Sequence, residues 1–403
     1  MEVFIESGTA KGKFKAPPSK SMAHRMLICS ALSEGVSEIS NIALSDDVSA
    51  TMNCIEKLGA KIEPVPGGSR ITGADLNVIP DDTELFCNES GSTLRFLIPL
   101  ALLSGKEIIF RGTEKLLSRP LGVYENIFRD DMIFEHGKDF LKIKGVLKSG
   151  TYKIPGNVSS QFISGLLFAL PLLESESRIV ITPPIESRPY IDMTIYTLSI
   201  FGVSVEFENE NTIVIPGGQK YKAANAAVEG DFSNSAFFGA LNCLGSDIDM
   251  IEPGLSSTQG DKVYHELFSA LTNSGKVIDI SNCPDLGPVL FALSAAENGG
   301  SFTGVSRLRY KESDRISAMA EELLKFGSVL TETDGNINIT PATKAPEEKL
   351  FGHNDHRIVM ALSVLLTKYG GCISGAEAVK KSFPEFFSEL SRLGIKLNIK
   401  GGG

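Results

Sequence analysis

The sequence predicts an α/β protein of two similar domains, each built from three strand–helix–strand–helix–strand–strand units, and three observations carry that expectation. First, several polar or charged openings run on into almost wholly apolar helices. They are Ser19-Lys20-Ser21 into Met26–Leu32, Glu89-Ser90-Gly91-Ser92 into Leu94–Leu103, and Ser159-Ser160-Gln161 into Phe162–Leu173. Further along come Gly230-Asp231 into Ala236–Leu244, Asp285 into Leu286–Ala296, and Asp355-His356-Arg357 into Ile358–Leu366. A helix that is apolar all round is buried, so these helices belong inside the domains and their openings converge on common places. Second, an amphipathic helix closed by Gly and followed by a strand and hairpin recurs at Gly59, Gly202, Gly275, Gly327 and Gly394, where Gly supplies the left-handed residue that ends a helix. A copy expected near Arg129-Asp130-Asp131 lacks the glycine. Third, the copies stand roughly 70 residues apart, with a shorter step between Gly275 and Gly327, which marks an internal repeat.

Six such units account for nearly all of the 403 residues. Composition breaks at Lys13–Pro18 and at Ala223–Gly230, where the chain can cross from one domain to the other. The expected division is a discontinuous domain of residues 1–14 and 229–403 with residues 15–228 inserted, and the site in the cleft between them.

Composition narrows the function. Hydrophobic content of 42% and charged content of 22% fit a water-soluble globular protein. No apolar run is long enough for a membrane span, and Met-Glu-Val-Phe-Ile-Glu lacks the basic and apolar regions of a secretory leader, so a cytoplasmic location is expected. The cysteines Cys29, Cys54, Cys87, Cys243, Cys283 and Cys372 form no Cys-x-x-Cys pair and have no His at zinc-ligand spacing, so reduced buried thiols are expected, with no metal and no cofactor. A net charge of −10 argues against a nucleic-acid surface. Cations gathered in so acidic a chain point instead to a focused pocket for a small anion.

Such gathering is densest from Arg307 to Arg315, where four cations and two carboxylates occupy nine residues ahead of a helix with Ile316, Met319, Leu323 and Leu324 on one face. Ser313-Asp314 fits the helix start, with Arg309, Lys311 and Arg315 standing around it, an arrangement suited to phosphate or carboxylate. Alone, the stretch is an ordinary solvated charge run. Arg95 and Lys381 alone read as packed surface charges, Ser159-Ser160 as a helix cap, and His356 as a core histidine. Repetition changes the balance. The openings and crossings also present Lys20, Ser21, Arg25, Arg119, Gln161, Ser187, Arg188, Asp285 and Arg357. Cations and hydroxyls dominate, which suits a ligand with more than one anionic group. Asp285 and Glu312 are the carboxylates placed for acid–base work, and a lysine in such a cluster can have a depressed pKa.

In order along the chain, Pro18-Ser19-Lys20-Ser21 with Arg25, Ser90-Gly91-Ser92-Thr93-Leu94-Arg95, Arg119-Pro120, Ser159-Ser160-Gln161-Phe162 and Ser187-Arg188-Pro189-Tyr190-Ile191-Asp192-Met193-Thr194 form a pattern. It continues with Glu229-Gly230-Asp231, Pro284-Asp285, Lys311-Glu312-Ser313-Asp314-Arg315, Asp355-His356-Arg357 and Lys381-Ser382-Phe383-Pro384. Over its whole length the sequence resembles the 5-enolpyruvylshikimate-3-phosphate (EPSP) synthase family. The resemblance implies the enolpyruvyl transferase fold, an inside-out α/β barrel in two domains that close over the substrates, and a monomer. It implies transfer of the enolpyruvyl group of phosphoenolpyruvate to the 5-hydroxyl of shikimate 3-phosphate, with release of phosphate. By position, Lys20, Ser21, Arg25, Ser159, Ser160, Gln161, Ser187, Asp285 and Lys311 are implied to hold shikimate 3-phosphate. Lys20, Gly91, Arg119, Gln161, Arg315, Arg357 and Lys381 are implied to hold phosphoenolpyruvate. Asp285 is the choice for the hydroxyl proton, and Lys20, Glu312 and Lys381 are the candidates for the methylene proton. Room beside Gly91 implies inhibition by glyphosate.

Departures from the family pattern are Glu89 and Arg307, each where Asn is common, and Arg188 where Lys is frequent. A carboxylate at position 89 repels phosphoenolpyruvate unless it is turned away or paired, and Arg307 is placed to meet the shikimate phosphate. Rival readings are an enolpyruvyl transferase acting on UDP-N-acetylglucosamine, an RNA 3′-phosphate cyclase-like enzyme, and a non-catalytic anion-binding protein on the same scaffold. Against the first, residues 112–131 around Arg119 contain no cysteine; against the second stands the negative charge; against the third, Asp285, Lys20 and Lys381 are all present.

Overall fold

The computed structural model describes residues 1–128, 132–273 and 277–401. The copies expected near Arg129-Asp130-Asp131 and at Gly275 therefore lie outside the described residues. The chain divides into one unit of Met1–Pro17 with Gly230–Gly403 and a second of Pro18–Glu229. Each unit has its own apolar core.

The Pro18–Glu229 unit carries helices α1 (Lys20–Leu32), α2 (Asp46–Lys57), α3 (Gly91–Ala101), α4 (Glu114–Leu117), α5 (Gly122–Ile127), α6 (Ser160–Ala169) and α7 (Arg188–Ile200). Its three four-stranded sheets share one topology. In the first, Thr83–Phe86 runs parallel to Ile108–Arg111, which pairs antiparallel with Phe140–Gly145 and that in turn with Met132–His136. The strands 151–155, 177–182, 212–215 and 206–209 repeat this order, as do 225–227, 36–40, 68–72 and 61–65.

The other unit carries α8 (Phe232–Cys243), α9 (Tyr264–Asn273), α10 (Gly287–Ala296), α11 (Arg315–Leu324), α12 (His356–Tyr369) and α13 (Phe386–Arg392). Two of its sheets have the same four-stranded order, and one of them takes Glu2–Ile5 from the N-terminus as a central strand. The remaining repeat is shorter than expected: among the described residues, Lys11–Lys15 and Asp247–Ile251 form a parallel pair alone.

The sequence pattern explains the layering. Helices α1, α3, α6, α8, α10 and α12 are apolar on nearly every face and are buried almost end to end. In the four described copies the closing glycines take left-handed φ, from 72° at Gly327 to 106° at Gly59. Among the described residues no helix is long and apolar enough to cross a membrane. All the cysteines are free thiols, buried except for half-buried Cys243.

Close approach of two inner helices fixes where their openings stand. Tyr124 Oη donates to Arg95 O at 2.8 Å and to Phe162 O at 3.0 Å, tying α3 to α6. A Cβ on Gly165 would lie 2.5 Å from Arg95 O, a backbone atom that cannot swing aside. Gly165→Ala is therefore expected to destabilise the protein by about 1–3 kcal/mol, read as a lower denaturant midpoint. An unchanged midpoint would mean that the two helices are not held at this distance.

Candidate functional site

Cations collect at helix openings in both units. In the Pro18–Glu229 unit, two of those openings meet beside the turn that carries Arg119. Ser90 caps α3 by accepting from Thr93 N–H at 3.2 Å, and Ser159 caps α6 by accepting from Gln161 N–H at 3.3 Å. Between these caps, Arg95 Nη1 donates to Gln161 Oε1 at 2.7 Å and Gln161 Nε2 donates to Ser92 Oγ at 2.9 Å. Gly91 lies against the same group: an added Cβ would meet Arg119 Nη1 at 2.9 Å, Arg95 Nη1 at 3.4 Å and Gln161 Oε1 at 3.6 Å. Arg119 sits in the turn between α4 and α5, and its Nε is buried with no hydrogen-bond partner among the described residues. Gly91, Arg119 and Gln161 thus form one cluster, joined by Arg95 and Ser92.

At the start of α1, Lys20 Nζ donates to Asp47 Oδ2 at 2.7 Å. Arg25 is buried and donates to Ser21 O at 2.7 Å, Thr194 Oγ1 at 2.9 Å and Tyr190 O at 2.9 Å. Burial pulls its pKa down to about 10. Ser160 and Ser187 are buried at the starts of α6 and α7, and Ser187 holds a left-handed φ of 55°. Such a conformation is uncommon outside Gly and costs about 1 kcal/mol or more. Glu89, just before this α3 opening, is half-buried. Arg188 pairs with Asp192 at 2.9 Å and lies over the Phe207 ring, so it is engaged within its own neighbourhood.

The other unit holds the denser cluster. Asp285 lies in a short turn before α10 and does not cap that helix, so its carboxylate is turned to cations instead. Lys311 Nζ reaches its Oδ1 at 3.1 Å, Arg315 Nη1 reaches the same oxygen at 3.0 Å, and Arg357 Nη2 lies 3.4 Å from Oδ2. Burial alone would raise the pKa of Asp285, but Arg357, Lys311 and Arg315 hold it well below the usual carboxylate range. Burial lowers the pKa of Lys311, helped by the charges of Arg315 and Arg307 and opposed by Asp285.

Arg315 is only 1% exposed. It donates Nε to Asp355 Oδ2 at 2.8 Å and Nη2 to Glu312 Oε2 at 2.8 Å, besides its bond to Asp285. Asp355 caps α12 by accepting from Arg357 N–H at 2.9 Å and takes Ser313 Oγ at 3.1 Å. His353 and Asn354 reach Asp355 through left-handed φ of 49° and 51°, and Lys381 Nζ braces that turn by donating to Asn354 O at 2.6 Å.

The structure therefore brings Asp285, Lys311, Glu312, Arg315 and Arg357 together, with Lys381 one turn away. Arg309 stands at the start of α11 as expected, paired with Asp314 at 2.7 Å and with Glu332. Asp314 is then the cap of α11, accepting from Ser317 N–H at 3.1 Å. Asp47 stood outside the sequence pattern, while Arg95, Ser92 and above all Asp355 stood in it without an assigned role. The signal for Asp355 was present: an acid at the opening of an apolar helix, beside Arg357. Among the described residues, Glu321, Glu322 and His353 are the carboxylates and histidine spaced as metal ligands would be. Buried Glu322 in that group already accepts from Lys325 at 2.9 Å, His353 at 3.0 Å and Phe351 N–H at 3.0 Å.

Chemically, two groups of fixed cations at helix openings suit a pair of anionic substrates, and a carboxylate among them can move a proton. Known proteins point the same way. A sequence-family model described as EPSP synthase (3-phosphoshikimate 1-carboxyvinyltransferase) matches residues 6–390. A 3-phosphoshikimate 1-carboxyvinyltransferase of Clostridium kluyveri is 41% identical over 418 residues, covering 98% of both chains. One of Clostridium acetobutylicum is 42% identical over 407 residues, covering 95% of both. A solved EPSP synthase of Acinetobacter baumannii superposes with a TM-score of 0.81 at 25% identity, covering 99% of this chain and 100% of that one.

Proposed function

The chain belongs to the EPSP synthase family, and from that premise we propose that its two cation clusters serve a single reaction on one pair of substrates. That reaction is transfer of the enolpyruvyl group of phosphoenolpyruvate to the 5-hydroxyl of shikimate 3-phosphate, with release of phosphate. The observation that supports this site reading best is Asp285, one carboxylate held by Lys311, Arg315 and Arg357.

In the absence of substrate those cations suppress the basicity of Asp285. Phosphate and carboxylate groups of the substrates compete for Lys311 and Arg357, and each cation they draw away raises the proton affinity of Asp285. Asp285 then accepts the 5-hydroxyl proton as that oxygen attacks the substituted carbon of phosphoenolpyruvate. The methylene carbon takes a proton from Lys20, Glu312 or Lys381. In the second half the carbon–oxygen bond to phosphate breaks and the new methyl group returns a proton, restoring the double bond. Shikimate 3-phosphate is assigned to Lys20, Ser21, Arg25, Ser159, Ser160, Gln161, Ser187, Asp285 and Lys311. Phosphoenolpyruvate is assigned to Lys20, Gly91, Arg119, Gln161, Arg315, Arg357 and Lys381. The contact of Gly91 with Arg119 and Gln161 supports the second group, since it leaves backbone and guanidinium side by side for one anion.

Glyphosate, which carries a phosphonate and a carboxylate, is proposed to compete for the same place. The test is Gly91→Ala, whose methyl must displace the Arg119 guanidinium. We expect KM for phosphoenolpyruvate to rise about tenfold, worth about 1.4 kcal/mol, and inhibition by glyphosate to weaken at least as much. Unchanged KM and unchanged inhibition would remove Gly91 and Arg119 from the donor site.

A further inference from the structure

The Pro18–Glu229 unit also holds a row of buried polar groups that the steps above do not use. His24 Nδ1 and Thr51 Oγ1 are 2.7 Å apart, Thr51 Oγ1 and Thr93 Oγ1 are 2.7 Å apart, and Thr93 Oγ1 donates to Ser90 Oγ at 2.7 Å. The row crosses from α1 through α2 to the cap of α3, and all four side chains are buried. Its first step repeats the spacing of an ion pair: Lys20 and His24 stand four residues apart on α1, and their partners Asp47 and Thr51 stand four apart on α2. Two rungs therefore join these helices, and the second continues to α3.

A hydroxyl has one proton to give, which fixes the direction of the row. Thr93 gives its proton to Ser90, so Thr51 gives its own to Thr93 and the His24 ring supplies the proton at Nδ1. The other ring nitrogen agrees. His24 Nε2 is buried with no hydrogen-bond partner among the described residues, and a proton there would make an N–H without an acceptor. Burial, with the charges of Lys20 and Arg25, holds the imidazole well below its ordinary pKa, so the ring is neutral. At the far end Ser90 accepts twice, from Thr93 Oγ1 and from Thr93 N–H at 3.2 Å, which occupies both of its lone pairs. The next residue is Gly91, which the Arg119 guanidinium approaches.

We propose that His24 is a positioning residue for the transfer reaction: its Nδ1 proton starts a one-way hydrogen-bond chain through Thr51 and Thr93 that fixes Ser90 as the cap of α3 and so holds Gly91 at the phosphoenolpyruvate site. His24 acts through the chain and not by contact with substrate. A cut in the chain leaves a buried hydroxyl short of its donor and lets the first turn of α3 relax, which loosens Gly91 against Arg119 and Gln161. The loss therefore falls on phosphoenolpyruvate more than on shikimate 3-phosphate. This inference rests on the reading of Gly91 as part of the phosphoenolpyruvate site.

The test is KM for each substrate in His24→Leu, His24→Asn, Thr51→Val and Thr51→Ser, with Gly91→Ala alongside. Val has the shape of Thr without its hydroxyl proton, and the Asn amide can donate to Thr51 in place of Nδ1. His24→Leu and Thr51→Val are expected to raise KM for phosphoenolpyruvate about fivefold and to change KM for shikimate 3-phosphate less than about twofold, whereas His24→Asn and Thr51→Ser stay near the wild type. If Gly91→Ala leaves KM for phosphoenolpyruvate unchanged, the reading of the α3 opening fails and this inference with it. If Gly91→Ala raises that KM while Thr51→Val does not, this inference alone fails. Equal rises in both KM values, or His24→Asn as impaired as His24→Leu, would make His24 a packing residue and overturn the proposal. Should the His24 variants not fold, the Thr51 pair carries the kinetic test alone. Nitrogen NMR gives a readout independent of catalysis. With the five histidines labelled and the His24 signal assigned as the one absent from a folded His24 variant, the wild-type ring should show a protonated Nδ1 and a bare Nε2; the opposite tautomer overturns the proposal.

Discussion

Asp285→Asn is expected to lower kcat by about 10²–10⁴ while both substrates still bind. The magnitude follows from the role assigned to the carboxylate. Asn keeps the shape and can still accept hydrogen bonds, but it cannot take the 5-hydroxyl proton at neutral pH. Binding survives because Lys311, Arg315 and Arg357, which meet Asp285 at 3.0–3.4 Å, lose a competitor for the substrate anions. KM for phosphoenolpyruvate should thus stay level or fall as kcat collapses. Steady-state phosphate release separates the two constants. A rise in KM at unchanged kcat would make Asp285 a binding group only.

Arg315→Met should be the most damaging single change to stability. The guanidinium is 1% exposed and links Asp285, Glu312 and Asp355, of which Asp355 is fully buried. Removing it leaves buried carboxylates short of a cation, at a cost of about 3–5 kcal/mol at neutral pH. The pH dependence has a definite sign. Burial raises the pKa of Asp355, yet Arg315 brings it below its ordinary value, so its contribution is present above the unfolded pKa and is lost as pH falls through the folded one. The gap between wild type and Arg315→Met should accordingly be wide at neutral pH and narrow below about pH 4. Denaturant unfolding at the two pH values checks this, and a gap independent of pH would show that Arg315 acts through packing alone.

Much of the fold was legible because burial removes periodicity. Residues 22–31 of α1 are buried on every face, so the helix has no polar stripe, and that lack is visible in the sequence. The glycines at 59, 202, 327 and 394 were legible for a different reason, since a left-handed φ selects Gly locally. The two-stranded repeat of Lys11–Lys15 and Asp247–Ile251 left only the shorter step between Gly275 and Gly327 as its mark.

The site was legible by residue type and not by pairing. The cation-rich stretch before α11 was evident, but which cation meets which carboxylate depends on how turns distant in sequence are brought together. Arg309 and Arg315 are equivalent on paper; one goes to Asp314 and Glu332, the other to Asp285, Glu312 and Asp355. Asp355 stood only as part of a polar helix opening; it caps that helix, and its second role appears only when Arg315 arrives from another element.

The most direct measurement is a single-turnover comparison of wild type and Asp285→Asn, each mixed with phosphoenolpyruvate and either shikimate 3-phosphate or UDP-N-acetylglucosamine, with phosphate followed in time. Wild type should release phosphate with shikimate 3-phosphate alone, and Asp285→Asn should bind both substrates, by calorimetry, without releasing it at a comparable rate. Release with the nucleotide sugar instead, or undiminished release by Asp285→Asn, would contradict the account.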